Sequence, residues 1–264
     1  MKDKIVLLTG GSSGIGLSTA RALAQKGCKV YALSRRSFSD PCLTHICADV
    51  TTEEQIASAM EQILQAEGHI DIVINNAGFG ISGAVEFTAT EEAQRQFDVN
   101  FFGMVRVNHV FLPQMRKQGY GRIVNISSVA SPIPIPFQTY YSAAKAAIDS
   151  YSMALANELR PYHITVCAIR PGDIRTGFTA AREKSVTGDK EYNGRISRSV
   201  SKMEHDEQNG MCPGKAGRFI SRIALKKNSK PLVTIGLSYR LFTVLSKLLP
   251  CRLLNYIVGL LYAK

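Results

Sequence analysis

The sequence has no apolar segment long enough to cross a membrane as a helix, which requires roughly 18 uninterrupted apolar residues. Its six cysteines show no Cys-x-x-Cys spacing, so we expect reduced thiols rather than disulfides. We also expect no metal site, because Cys42, His45 and Cys47 have no second pair at finger spacing. The N-terminal residues include no cleavage site of small residues, so we expect a cytoplasmic protein without a signal peptide.

Acidic side chains are missing after Glu207, and their absence makes the charge uneven along the chain. The formal net charge is +11. Ten basic residues follow Glu207, namely Lys215, Arg218, Arg222, Lys226, Lys227, Lys230, Arg240, Lys247, Arg252 and Lys264. A basic region suggests an acidic partner, such as a nucleic acid or an anionic membrane. This one is rich in large aliphatic residues and has no nucleic-acid motif, so we expect no nucleic-acid partner.

Short apolar runs alternate along the chain with longer amphipathic ones, which is typical of βαβ units. The predicted strands are Ile5–Thr9, Lys29–Ser34, Leu43–Cys47, Ile70–Asn75, Arg122–Ser127, Ile164–Ile169 and Lys230–Gly236. The predicted helices end near Lys26, Glu67, Gln118 and Arg160. The fold class is therefore α/β, a Rossmann-type doubly wound parallel sheet of about seven strands with helices on both faces. We predict one domain at 1–236, a C-terminal apolar and basic helical extension at 237–264, and a polar cap or loop from Asp173 to Pro213.

Three glycines, Gly10, Gly14 and Gly16, lie between the first predicted strand and the first predicted helix. Glycine allows a tight turn and lets the backbone approach a pyrophosphate closely. The N-terminus of the following helix offers free amides and a positive dipole end to that anion. A strand before the glycines and a helix after them therefore predict a dinucleotide-binding turn.

The end of the second strand indicates which dinucleotide is bound. A site that prefers NAD usually places an acid there for the ribose 2′-hydroxyl. Here Ser34 stands near that position, and Arg35 and Arg36 follow it. A guanidinium attracts a 2′-phosphate and matches its geometry. We therefore predict NADP(H), with NAD(H) as the alternative.

A phenol and an ammonium, those of Tyr141 and Lys145, lie four residues apart on a predicted helix. That spacing places both side chains on one face of the helix. A nearby cation favours the phenolate, so we expect the pKa of Tyr141 to be depressed. A tyrosine of this kind can donate or accept a proton near neutral pH.

Further motifs accompany this pair in a fixed order: Thr9–Gly16, Asp49, Asn75-Asn76-Ala77-Gly78, Asn100, Ser128, Tyr141 with Lys145, and Pro171-Gly172 followed by Thr176. In these motifs the chain resembles the short-chain dehydrogenase/reductase family, in its compact single-domain branch. The resemblance runs from about Lys4 to Gly236 and points towards members that act on hydroxysteroids and retinol. It implies an oxidoreductase that interconverts a hydroxyl and a carbonyl by hydride transfer.

The resemblance implies a catalytic set of four residues. Tyr141 is the general acid/base, and Lys145 binds the nicotinamide ribose and lowers the tyrosine pKa. Ser128, thirteen residues before Tyr141, holds the substrate oxygen, and Ser127 is the less favoured choice for that role. Asn100 helps to hold a helix distortion and a proton-relay water.

The resemblance also implies a cofactor-binding set that runs from the adenine to the nicotinamide. Asp49 and Val50 contact the adenine, and the segment after Pro171 holds the nicotinamide end. The chain departs from many NADP-preferring relatives at Ser13, where they carry a basic residue. The complete set is Gly10, Ser12, Ser13, Gly14, Ile15, Gly16, Ser34, Arg35, Arg36, Asp49, Val50, Asn76, Ala77, Gly78, Tyr141, Lys145, Pro171, Gly172, Ile174 and Thr176.

The substrate pocket of the family lies between the loop after the fifth strand and the segment after the sixth. The first of these, Val129–Phe137, carries three prolines and mostly apolar side chains. An apolar wall favours a hydrophobic substrate such as a steroid, a retinoid or a lipid ketone, although some of these residues could simply pack on the scaffold. The second, Asp173–Met211, does not indicate a specificity.

The C-terminal extension has helical apolar spacing at Leu241, Val244, Leu245, Leu248 and Leu249, and Pro250 separates it from a second apolar helix. Two interpretations remain open. In one, the helices cover the substrate entrance or form a dimer surface. In the other, they lie peripherally on an anionic membrane, through buried apolar area and through Arg240, Lys247, Arg252 and Lys264.

Two other functions fit the same motifs. A 3-oxoacyl carrier or CoA reductase belongs to the same enzyme class, and its acidic carrier would suit a basic surface. A cofactor-sensing regulator would keep the fold without catalysis, but the complete catalytic set argues against it. We expect a hydrophobic small-molecule substrate and a homodimer or homotetramer.

Overall fold

The structure is a computed structural model that describes residues 4–227 and 229–263. Met1–Asp3 and Lys264, which figure in the predictions for the two ends of the chain, lie outside the described residues.

A seven-stranded sheet, parallel throughout, forms the centre of the molecule. Strands are numbered in chain order, and two of them, β5 (Ile81–Ser82) and β8 (Glu183–Lys184), form a separate sheet. The strands of the main sheet are β1 (Ile5–Thr9), β2 (Lys29–Ser34), β3 (Thr44–Cys47), β4 (Ile72–Asn75), β6 (Gly121–Ile126), β7 (Ile164–Arg170) and β9 (Leu232–Thr234). Their spatial order is β3-β2-β1-β4-β6-β7-β9. The order reverses at β1 and β4, so the carboxyl ends of these strands border the crevice where ligands bind in open α/β sheets.

Helices cover both faces of the sheet, which explains why its central strands are apolar on both sides. The helices are α1 (Gly14–Ala24), α2 (Glu53–Glu67), α3 (Thr90–Phe97), α4 (Gly103–Gln118), α5 (Thr139–Glu158), α6 (Phe178–Ala181), α7 (Arg195–Gln208), α8 (Pro213–Ala224), α9 (Leu237–Leu248) and α10 (Cys251–Tyr262). Leu8 packs with residues of α1 and α8 on one face, whereas Leu7 packs with residues of α2, α4 and α5 on the other. The α/β fold with a parallel sheet is therefore confirmed.

The predicted helix from Thr90 to Gln118 is interrupted by a π-helical turn at Asp98–Phe102. The sequence predicts one continuous helix here, and the extra residue that such a turn accommodates was not identified.

The segment from Asp173 to Pro213, predicted as a polar cap or loop, has more regular structure than a loop would have. It contains α6, the short strand β8 (Glu183–Lys184) and the 14-residue helix α7. β8 pairs with β5 (Ile81–Ser82) in a second, two-stranded sheet. α7 is mostly polar but buries Ile196, Val200 and Met203, and this apolar stripe explains its stability on the domain.

The C-terminal extension forms two helices, as predicted, and Pro250 is the N-cap residue of the second. In the described part of the chain, no helix combines the length and the apolar character that crossing a bilayer would require. The division of the chain at 236/237 stays a prediction.

Candidate functional site

The turn from β1 to α1 presents bare backbone to the crevice. Gly10 and Gly14 have φ of +68° and +54°, a region that side-chain-bearing residues rarely adopt. A Cβ at Gly16 would lie 2.1 Å from the carbonyl oxygen of Gly10. The turn therefore requires glycine for two separate reasons, backbone conformation and space.

The first turn of α1 is open to an anion. Its N-cap residue, Ser13, makes no side-chain capping hydrogen bond, and the first amides of a helix have no partner within it. Ser12 precedes this N-cap residue in the chain, and Ile15 lies in the first turn of α1. Because the backbone amides and the helix dipole both favour negative charge, this cradle fits the pyrophosphate of a dinucleotide.

Asn76 fixes the glycine turn against the end of β4. Its side-chain amide donates to the carbonyl oxygens of Thr9 (3.1 Å) and Gly10 (3.2 Å). The Thr9 hydroxyl accepts the backbone amides of Asn76 (3.0 Å) and Ala77 (3.1 Å) in return. These four bonds hold the two strand ends in register beside the predicted cofactor groove.

The adenine end of the groove brings together the predicted residues after β2 and β3. Ser34 is buried, and its hydroxyl donates to the Arg36 carbonyl oxygen at 2.9 Å. The Arg35 guanidinium lies 4.0 Å from the Asp49 carboxylate, and its side chain is 76% exposed. Arg36 is also exposed, whereas Val50 is buried. The two guanidinium groups are thus available to a ligand at the sheet edge.

Tyr141 and Lys145 project from α5 towards Ser128, which follows β6. The Ser128 hydroxyl is close enough to the Tyr141 phenol to lower the pKa of that phenol. The Lys145 ammonium lies 5.5 Å from the centre of the Tyr141 ring and donates to the Ile126 carbonyl oxygen at 2.8 Å. Ser127 is buried instead, with its hydroxyl bonded to the Lys145 carbonyl oxygen. Ser128 is therefore the serine near the phenol, and its role towards a substrate oxygen stays a prediction.

The expected depression of the Tyr141 pKa is wrong for this structure. Burial raises the pKa of Tyr141 to about 12, and this outweighs the lowering effect of the nearby Ser128 hydroxyl. Burial also lowers the pKa of the Lys145 ammonium to about 8. Desolvation disfavours the charged form of each group, so the pair is protonated phenol and a readily neutralised amine.

Asn100 lies inside the π-helical turn between α3 and α4. Its side-chain oxygen accepts the Phe79 amide at 2.9 Å, and its side-chain nitrogen donates to the Phe79 carbonyl oxygen at 2.8 Å. A Cβ at Gly78 would lie 3.0 Å from the same oxygen. Asn100 thus fastens the distorted helix to the segment after β4, and its part in holding a proton-relay water stays a prediction.

The segment after β7 closes the opposite end of the groove. Pro171 and Ile174 are buried, and Ile174 forms a parallel bridge with Met211. Thr176 reaches the glycine turn, because a Cβ at Gly14 would lie 3.5 Å from the Thr176 Cβ. The nicotinamide-end residues and the pyrophosphate cradle are therefore adjacent.

The comparisons with known proteins agree with this geometry. The family model for short chain dehydrogenase matches residues 4–187. The chain belongs to the short-chain dehydrogenase family. It is thus an oxidoreductase with a Rossmann nucleotide-binding fold.

Individual relatives cover nearly the whole chain. A 3-ketodihydrosphingosine reductase from Bacteroides thetaiotaomicron is 41% identical over 100% of this chain and 99% of its own length. A probable short-chain type dehydrogenase/reductase, VdlC, from Helicobacter pylori is 33% identical over 93% of each chain. The crystal structure of a short-chain dehydrogenase from Streptomyces avermitilis superimposes with a TM-score of 0.82, at 31% identity over 92% of each chain.

The C-terminal extension of this short-chain dehydrogenase reaches the predicted nicotinamide end. A Cβ at Gly172 would lie 2.2 Å from the ring of Tyr239, which belongs to α9. The Tyr239 phenol donates to the Asp173 carboxylate. α10 packs on α7, and Tyr262 and Ala263 join the cluster that includes Phe137 and Met203. These contacts support the interpretation that the extension covers the predicted substrate entrance.

Several residues near Tyr141 were not identified from the sequence. The Phe178 ring lies 5.9 Å from the Tyr141 ring, and the Arg182 guanidinium lies 5.7 Å from the Phe178 ring. Arg182 also pairs with Glu207 of α7. No local pattern marks these residues, because each reaches Tyr141 only through the folding of α6 and α7 over the groove.

The apolar loop after β6 divides its side chains between packing and the groove. Phe137 adopts a φ of +59° and packs with Ile196 and Val200 of α7. Pro132 and Ile133 stay partly exposed. The loop thus contributes both to the scaffold and to an apolar wall.

Proposed function

We propose that this chain is an NADP(H)-dependent oxidoreductase that interconverts a hydroxyl and a carbonyl on a hydrophobic, lipid-like substrate. One observation carries the proposal: the Tyr141 phenol is buried with the Ser128 hydroxyl close by, and the Lys145 ammonium lies 5.5 Å from the centre of its ring. A phenol and a hydroxyl that converge beside a dinucleotide groove suit a carbonyl oxygen that gains a proton.

Each of the four residues has its own part in the reaction. Ser128 orients the substrate oxygen, and Tyr141, which is protonated at neutral pH, donates its proton to that oxygen during reduction. Lys145 stabilises the phenolate that remains, since a cation favours this form. Asn100 keeps the π-helical turn in place behind the groove. The bound dinucleotide supplies or accepts the hydride.

The preference for NADP(H) over NAD(H) rests on Arg35 and Arg36. Both guanidinium groups are exposed where a ribose 2′-phosphate would lie, and buried Ser34 offers no carboxylate to a 2′-hydroxyl. Replacing Arg35 with Ala should raise the KM for NADPH much more than the KM for NADH. Equal increases for both cofactors would contradict the proposed preference.

The substrate class follows from the apolar loop and from the relative named as a 3-ketodihydrosphingosine reductase. That compound is a long aliphatic chain with a ketone, next to a carbon that bears an amine, and a terminal hydroxyl. We propose a long-chain ketone of this kind. The apolar cluster around Phe137, Ile196 and Tyr262 is the part of the molecule along which we propose that its chain lies.

The exposed face of the extension supports peripheral contact with an anionic membrane. Its exposed large apolar side chains are Leu237, Leu241, Phe242, Val244, Leu245, Leu248, Leu253, Tyr256, Ile257, Leu260 and Leu261. The cations Arg240, Lys247 and Arg252 lie on the same two helices. Apolar area together with positive charge suits an anionic lipid surface. Wild-type protein should float with anionic liposomes, and a Leu241→Glu/Leu248→Glu variant should stay at the bottom of the gradient. Equal flotation of both proteins would exclude this contact.

The catalytic assignment is tested with Tyr141→Phe. NADPH affinity should survive, because the cradle and the arginines are unchanged, and turnover should fall by at least ~100-fold. Tyr140→Phe, one residue earlier on α5, is the matched control and should retain wild-type turnover. If Tyr141→Phe turned over a long-chain ketone at the rate of the control, the proposed chemistry would be wrong.

A further inference from the structure

A group of charged and phenolic side chains lies near enough to Tyr141 to act on its phenol electrostatically. This head cluster consists of Asp173, Arg182, Asp206, Glu207, Tyr239 and Tyr262. Asp173, Arg182 and Glu207 are close enough to Tyr141 for their charges to act on its phenol. Phe178 links Tyr141 to the cluster, because its ring lies 5.9 Å from the Tyr141 ring and 5.7 Å from the Arg182 guanidinium.

The carboxylates of the cluster differ in their partners. Glu207 pairs with Arg182 and also accepts the Thr179 hydroxyl at 2.6 Å. Asp206 pairs with Lys202 at 2.6 Å. Asp173 has no cation within ion-pair distance in the described ranges 4–227 and 229–263, and its bonding partner is the Tyr239 phenol. A carboxylate has two acceptor oxygens, so Tyr239 leaves one for a second donor.

The surroundings of Asp173 favour the arrival of a cation. Burial raises its carboxyl pKa, and the negative charges of Glu207 and Asp206 add to that effect. A buried carboxylate without a counter-ion is unfavourable, and an ammonium group beside it would relieve the cost. The cluster therefore attracts a positively charged ligand at this one carboxylate.

Arg182 supplies an independent sign that a polar ligand group belongs here. Its side chain is 0% exposed, yet its Nε and Nη1 atoms have no hydrogen-bond partner among the described residues. The guanidinium stacks on Phe178, whose ring contacts Tyr141. Buried guanidinium N–H groups without acceptors are costly, and a ligand oxygen at this position would satisfy them.

We propose that the head cluster binds the polar head of the substrate, with Asp173 taking a protonated amine and Arg182 taking an adjacent hydroxyl oxygen. This inference rests on the proposed reduction of a long-chain ketone. It adds that the enzyme selects ketones with an amine on the neighbouring carbon. The aliphatic chain then extends along the apolar cluster, and the tyrosines of the extension close the head site.

The test compares two ketones of equal chain length on the full-length protein with NADPH. One has the amine on the carbon next to the ketone and also the terminal hydroxyl. The other is identical except that a hydrogen replaces the amine. The wild type should prefer the amino ketone by at least ~10-fold in kcat/KM. Asp173→Asn preserves side-chain volume and an oxygen that accepts from Tyr239. It should raise KM for the amino ketone at least ~10-fold and leave the deamino ketone within about twofold.

Matched variants and a binding assay separate the possible failures. Glu158→Gln removes one carboxylate from the exposed end of α5 and should leave both ketones unchanged. A long-chain amino alcohol without the ketone should raise the melting temperature of the wild type but not of Asp173→Asn. Equal effects of Asp173→Asn on both ketones, together with an unchanged amine-induced shift, would overturn the head site alone. If wild-type protein reduced neither ketone, the proposed function itself would fail.

Discussion

Gly172→Ala should displace Tyr239 from the nicotinamide end of the groove. The new Cβ would lie 2.2, 2.3 and 2.6 Å from three carbons of the Tyr239 ring. Carbon atoms in favourable contact are about 3.5–4.0 Å apart, so the ring or the backbone must move by more than about 1 Å. Overpacking of this kind costs about 1–3 kcal/mol. A displaced ring also loses the bond from its phenol to Asp173.

The free-energy cost of the clash between the new Cβ and the Tyr239 ring is best isolated by a double-mutant cycle with Tyr239→Ala. The double variant lacks the Tyr239 ring, so Gly172→Ala should change the free energy of unfolding very little in that background. The coupling free energy should therefore be about 1–3 kcal/mol, well above the ~0.5 kcal/mol scatter expected for independent sites. The measurement is urea unfolding of the four proteins without cofactor, which keeps any effect on nucleotide binding out of the comparison.

Gly177→Ala is the matched control, because nothing lies within 4 Å of the Cβ that it would add. Its effect should be the same in the wild-type and Tyr239→Ala backgrounds. Additive free energies for Gly172→Ala and Tyr239→Ala would refute the contact between the extension and the Pro171-Gly172 motif. The idea that the extension covers the groove would then lose its main structural argument.

Two further predictions follow from the site. Because the pKa of Lys145 lies at about 8, below its ordinary value of 10.5, only the unfolded chain binds this proton between those pH values. The cofactor-free protein should therefore gain stability from Lys145 as the pH rises from about 8 towards 10, and Lys145→Met should lack that gain in urea titrations at both pH values. Gly16→Ala would drive a Cβ against the Gly10 carbonyl and the Asn76 amide, so NADPH affinity should fall at least ~10-fold by fluorescence titration, whereas Gly177→Ala keeps it.

The sheet and the glycine turn could be predicted because their signals are local. Ile5–Thr9 and Lys29–Ser34 begin and end where expected, since a strand that is buried on both faces must be apolar throughout. The predicted strands at Leu43 and Ile70 begin one and two residues too early. Apolar residues that precede a strand pack on the core without joining the ladder, and composition does not separate these cases.

The ionisation of the catalytic pair could not be predicted in the same way. The spacing of Tyr141 and Lys145 indicates their shared helix face, but it contains no information about burial. The structure places the Lys145 ammonium on the Ile126 carbonyl, and burial raises the pKa of Tyr141. The sign of this shift is set by burial, which depends on residues distant in sequence, and the negative charge of Glu207 adds to it.

The residues of the proposed substrate site could not be predicted from the sequence either. Arg182 and Glu207 are separated by 25 positions, and their pairing depends on how α7 turns back over α6. The polar composition of 173–213 suggested a loop because only a narrow stripe of α7 is apolar. The contacts within the proposed head site are thus long-range in sequence, whereas the glycine turn can be recognised from a short motif.

The two interpretations of the C-terminal extension need not compete. One side of α9 directs Tyr239 and the buried Thr243 towards the domain, while Leu241 and Leu248 remain exposed on the same helix. An amphipathic helix that covers a groove with one face and meets lipid with the other would place the entrance of that groove at the membrane surface. A long-chain ketone could then enter without its chain crossing water. If so, Leu241→Glu/Leu248→Glu should reduce activity on a ketone presented in anionic vesicles and spare activity on a short soluble ketone. An equal loss on both substrates would mean that the exposed leucines support the fold rather than delivery of the substrate.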